Sequence, residues 1–134
     1  MSLYDVVFIE GNKKYLTLFR HNVLRNEIMN MFTNFKTTYV NSDSVDFDHV
    51  PESKVYIGFS QGTRYFKKMD NDSLKISIGG ITGKGILFYK NKEDNARKGD
   101  YSKESLESHF TITDSTKKSI EKNVLKYLKS YDAG

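Results

Sequence analysis

The stretch Lys54 to Arg64, KVYIGFSQGTR, constrains this chain more than any other. Val55 to Phe59 carries no charge and is rich in β-branched and aromatic side chains, which predicts a strand buried on both faces. The strand runs into Ser60, with Gly58 two places before it and Gly62 two places after. Thr63 to Met69 then predicts a short helix, closed by Asp70-Asn71-Asp72. A strand hidden on both sides needs helices above and below its sheet, so this one segment points to an α/β layered fold.

The rest of the chain supplies the other layers. Asp5 to Glu10, DVVFIE, reads as a second buried strand, ended by Gly11-Asn12. Leu16, Phe19, Val23, Leu24, Ile28, Met31 or Phe32, and Phe35 recur at steps of three and four and predict a long amphipathic helix. Thr37 to Val40, Leu74 to Ile78 and Ile86 to Tyr89 are three further strand candidates. Asn41 to Glu52 and Asn91 to Ser102 are polar and read as loops, with a helical turn over Lys103 to Glu107. Asp114 predicts the cap of a last helix whose apolar face is Ile120, Val124, Leu125 and Leu128. The expected fold is a three-layer α/β sandwich with a small, mostly parallel sheet of about five strands, in one domain spanning residues 1–134. Only seven residues, Gly79 to Gly85, join the last two strands. A parallel crossover usually takes a dozen or more, so an antiparallel hairpin at the sheet edge is the alternative there.

Composition narrows the chemistry. Among 134 residues there is no cysteine, which excludes disulfides, thiolate catalysis and cysteine-bound zinc. No apolar run reaches the length of a membrane span, and no secretory signal is visible at the start. Met1-Ser2-Leu3 and Gly134 read as residues appended for expression. A cytoplasmic protein with no membrane partner is therefore expected. The net charge of +4 is spread along the chain rather than gathered in a patch, which argues against a nucleic-acid partner. Arg64, Tyr65, Phe66, Lys67 and Lys68 mix aromatics with charge, but on a helix Tyr65 and Phe66 more simply face the core. GGITGKG lacks the spacing and the terminal hydroxyl of a phosphate loop, so it reads as a turn with a solvated Lys84. Asp46, Asp48 and His49 in DFDHV read as a polar loop. No metal and no cofactor are expected.

The serine turn carries the chemical expectation. A serine between a buried strand and a helix start, flanked by Gly58 and Gly62, can be lifted out of a strained turn. The N–H groups of the helix start then face developing negative charge. The Gln61 N–H is one expected oxyanion donor, and the Gly11-Asn12 loop supplies the second. Serine needs a base. Of the three histidines, His21 falls within the first helix and His49 before the serine strand, which leaves His109. A carboxylate between serine and histidine would orient the ring; Asp94 is the first choice, Asp100 the alternative and Glu93 a weaker one.

VYIGFSQG, followed by ISIGG, ILFYKNKEDN and SHF before a final helix, resembles the α/β-hydrolase family, in a minimal or degenerate form. Gly-Phe-Ser-Gln-Gly is similar to the serine elbow of its carboxylesterase and acyl-thioesterase members. The resemblance implies the order serine, acid, histidine, met here by Ser60, Asp94 and His109. It implies attack on a small ester or thioester through an acyl-enzyme at Ser60. The oxyanion loop of the family often carries His-Gly, where this chain has Glu10-Gly11. The segment that usually separates the elbow from the acid is almost absent. The alternatives are a non-catalytic interaction domain with a protein partner, in which Ser60 is a turn residue, and, behind it, a small basic nucleic-acid-binding protein.

Overall fold

The computed structural model describes residues 3–11, 21–41, 50–69, 72–92, 99–100 and 102–133. Five strands form one sheet: β1 (Tyr4–Glu10), β2 (Thr37–Asn41), β3 (Ser53–Phe59), β4 (Leu74–Ile78) and β5 (Ile86–Tyr89). Their spatial order is β2-β1-β3-β4-β5, and every neighbouring pair is parallel. The neighbouring strands β1 and β3 are the two longest, and each is buried along its last five residues.

The hairpin alternative does not hold: β5 runs parallel to β4, with Lys75 opposite Ile86 and Ile78 opposite Tyr89. The seven-residue return manages this without a helix. It crosses the sheet face as irregular chain, with Ile81 packed against the cluster formed by Val7, Ile9, Tyr56, Tyr65 and Phe66. Gly79 and Gly85 adopt φ of +65° and +79°, so the tight bends at each end fall where side chains are disfavoured.

Helices cover both faces. On one side lie α1 (His21–Met29) and α3 (Asp114–Ala133). Leu24 and Ile28 from the first, Phe32 from the 3-10 turn Asn30–Phe32 that follows it, and Ile120, Val124 and Leu128 from the last, meet Val6, Phe8, Val55, Ile57 and Ile76. The other face holds a 3-10 helix, Ser60–Lys68, whose Tyr65 and Phe66 pack on Val7, Ile9 and Tyr56. The result is the three-layer sandwich. Tyr65 and Phe66 are core residues, so neither offers a ring for stacking on bases. No helix among the described residues is long and apolar enough to cross a membrane.

Three local readings change. The helix after Ser60 is 3-10 and starts at the serine itself, three residues earlier than expected. Gly62 and Thr63 are buried, Arg64 exposed, Tyr65 and Phe66 buried, Lys67 exposed. That period of three suits three residues per turn, where an α-helix would rotate the pattern away. Val23 is 40% exposed and Leu125 39%, because the buried lines on α1 and α3 run at steps of four through Leu24 and Ile120. The cap of α3 is Thr113, whose Oγ1 accepts from the Thr116 N–H at 3.1 Å. Asp114 instead sits in the first turn, where the Lys117 ammonium at 3.0 Å holds its carboxyl below the usual range.

Candidate active site

The chain goes from β1 to β2 on one side of the sheet, then crosses back to β3 and continues to β4 and β5 on the other. The reversal falls between β1 and β3. In parallel sheets a crevice opens at the carboxyl ends of the strands flanking such a reversal. Here those ends are Glu10-Gly11 and Phe59-Ser60.

Ser60 occupies that point in an uncommon conformation. Its φ is +53°, and it is the one non-glycine residue with positive φ among those described. The left-handed region costs an L-residue roughly 1–2 kcal/mol. The surroundings enforce it. Phe59 is still extended, at φ −115° and ψ +126°, so the whole reversal into the helix is made at the serine. Thr63 Oγ1 donates to the Ser60 carbonyl at 2.8 Å and accepts from the Ile81 N–H at 3.1 Å, tying the turn to the β4–β5 return.

Both elbow glycines are closely packed, Gly62 the more tightly. A Cβ on Gly62 would lie 2.3 Å from the Ile9 carbonyl oxygen and 2.7 Å from that of Glu10, so the helix start touches the end of β1 backbone to backbone. A Cβ on Gly58 would lie 3.0 Å from Phe66 and Thr63 side-chain carbons. A third glycine escaped the sequence reading. Gly80 leaves space for Thr63, whose Oγ1 would be 2.2 Å from any Cβ there. Gly79-Gly80 carries a turn signal in the sequence, but nothing in the pattern links it to the elbow.

His109 is the last residue of α2 (Lys103–His109), and it is buried. Its Nε2 lies 3.3 Å from Ser60 Oγ, across 49 residues of sequence. The ring stands against Phe59 with centroids 5.1 Å apart and against Phe110 at 5.5 Å. One main-chain bond ties this corner to the segment after β5: the Lys92 N–H donates to the Thr111 carbonyl at 2.7 Å. Ser60 and His109 are therefore brought together as the sequence order suggested.

Gly11 is buried beside the serine, where a Cβ would be 3.4 Å from Ser60 Cβ and 3.2 Å from the Phe59 carbonyl oxygen. The end of β1 thus adjoins the elbow, while Gln61 directly follows the serine in the first turn of the helix. Asn12, Glu93, Asp94, Asp46, Asp48 and His49 lie outside the described residues, as does the side chain of His21. Asp100 is exposed and accepts from the Ser102 N–H at 3.0 Å, which lowers its pKa and places it at the start of α2. The residue the sequence reading missed is Asn91. Its Nδ2 lies 3.2 Å from His109 Nδ1 and donates to the His109 carbonyl. An amide two places past a strand end carries no pattern of its own.

Glu10, in the place where the resemblance implies a histidine, is buried and paired with Arg25 at 2.6 Å. The Arg25 guanidinium also covers the Tyr39 ring at 4.0 Å. Among the described residues no cluster of three metal-ligating side chains occurs.

No family model, no curated protein and no solved structure matches this chain. What the architecture gives is a parallel α/β sheet in a common doubly wound strand order, consistent with a broad α/β superfamily and not specifically with a hydrolase.

Proposed function

We propose that the protein is a serine hydrolase acting on a small ester or thioester through an acyl-enzyme at Ser60. One observation carries the reading: a left-handed serine at the switch point of a parallel sheet, with a buried histidine nitrogen 3.3 Å from its hydroxyl. A turn serine needs neither the strain nor the partner. In this reading Ser60 Oγ attacks the acyl carbon while His109 Nε2 takes its proton. The oxyanion faces the Gln61 N–H, with a second donor from the Gly11-Asn12 end of β1. His109 then protonates the leaving alcohol or thiol. A water, deprotonated by the same nitrogen, releases the acid. Asp94 is the proposed carboxylate of the triad, three residues beyond Asn91 on the segment that follows β5.

The test is turnover of short and medium acyl esters and thioesters by the wild type and by Ser60→Ala, His109→Ala and Asp94→Asn. The expected loss is about three orders of magnitude or more for the first two. Turnover that survives Ser60→Ala, or none at all in folded protein, would leave the non-catalytic interaction domain as the better account.

A further inference from the structure

The segment Arg64 to Lys68 mixes charge with aromatic rings in the sequence, and the fold separates the two. Tyr65 and Phe66 go into the core, while Arg64 and Lys67 stay in solvent. The helix that carries them is the one that starts at Ser60. In a 3-10 helix side chains three places apart eclipse one another, so Gln61, Arg64 and Lys67 stand in one straight row. All three are exposed, and Gly62, Thr63, Tyr65 and Phe66 between them are buried.

The row begins beside the serine. A rise of about 2 Å per residue sets Arg64 about 8 Å and Lys67 about 14 Å along the axis from Ser60. Side chains of a right-handed helix lean toward its N-terminus, which here is the Ser60 end. The helix sequence SQGTRYFKK contains no carboxylate. Glu10, whose carbonyl adjoins Gly62 at the end of β1, has its own carboxylate held by Arg25 at 2.6 Å. A molecule with its carbonyl at Ser60 and its body along this helix therefore lies beside positive charge.

We propose that Arg64 and Lys67 determine specificity, and that the substrate carries an anionic group, a carboxylate or a phosphate, on the part that extends from Ser60 along this row. The proposal rests on the Ser60 reading and narrows its small ester or thioester to a negatively charged one. Neither cation touches the reacting atoms. They raise the local concentration of the anion and orient it along the helix.

The test is the rate at which Ser60 is labelled by fluorophosphonates that differ only at the far end of the tether, which is a carboxylate, a phosphate or a neutral carboxamide. Acetate esters of hydroxybenzoate and hydroxybenzamide put the same question to the leaving group. The readout is the anionic-to-neutral rate ratio, corrected for the ratio with hydroxide, so a loss common to both compounds cancels. In the wild type at low salt it should be at least about five in one of the two series. That series shows which side of the substrate bears the charge, and salt near roughly 0.5 M should shrink the ratio. In Arg64→Gln/Lys67→Gln the ratio should fall to about one, and in Arg64→Glu/Lys67→Glu below it. A ratio of about one in both series for the wild type, or an unchanged ratio in the double glutamine variant, would overturn the proposal and leave the row as solvated surface. A serine that reacts with the neutral probe but ignores charge sinks the proposal alone; a serine inert to every probe sinks the Ser60 reading with it.

Discussion

Replacing Ser60 by glycine should stabilise the protein relative to replacing it by alanine, even though glycine is normally the more costly choice. Both substitutions remove the hydroxyl and its contact with His109, so the pair isolates the backbone. At φ +53° an alanine keeps the left-handed penalty, and glycine does not. That penalty is roughly 1–2 kcal/mol. Against it stands the larger freedom glycine gives the unfolded chain, about 0.4–1 kcal/mol. The difference favours glycine by about 0.5–1 kcal/mol. A chain of 134 residues has an unfolding entropy of about 0.28 kcal/mol per kelvin, so the Tm of Ser60→Gly should exceed that of Ser60→Ala by about 2–4 °C. Differential scanning calorimetry resolves such a gap. Equal Tm values, or a lower one for glycine, would show that Ser60 carries no backbone strain, and the argument that the elbow is held for chemistry would lose its first support.

Other expectations follow from single sites. Gly62→Ala drives a Cβ into two main-chain oxygens of β1 and should cost about 3 kcal/mol, read as a shift in the urea midpoint; a loss under about 1 kcal/mol would mean the elbow and β1 do not touch. Ser77 on β4 has a fully buried hydroxyl with no hydrogen-bond partner among the described residues, so Ser77→Ala should leave stability unchanged or raise it by up to about 1 kcal/mol; a clear loss in the same assay would reveal a partner for that hydroxyl. Thr113→Ala should destabilise by about 1 kcal/mol through loss of the α3 cap, and Asp114→Asn by only a few tenths; the reverse ranking in thermal melts would return the cap to Asp114.

The sheet was legible in the sequence because each strand is a short β-branched or aromatic run between breakers. Leu74–Ile78 and Ile86–Tyr89 have the expected bounds, and the other three strands differ by at most two residues at an end. The direction of β5 was not legible. Seven residues are too few for a crossover helix, but they suffice for an irregular crossing once Gly79 and Gly85 make its bends. Ser60 and His109 could be paired by chain order alone. Gly80 and Asn91 could not, since their roles come from packing between β4, β5 and the elbow, which no local pattern encodes. Thr113 and Asp114 are both competent caps, and only the backbone at the helix start chooses between them.

The most direct test of the central claim is covalent labelling with a fluorophosphonate followed by intact mass measurement. A single adduct on the folded protein, absent from Ser60→Ala and from heat-denatured protein, is the predicted result and would establish an activated serine at the end of β3. No adduct at high probe concentration, on protein whose fold has been verified, would contradict it and reduce Ser60 to a strained turn.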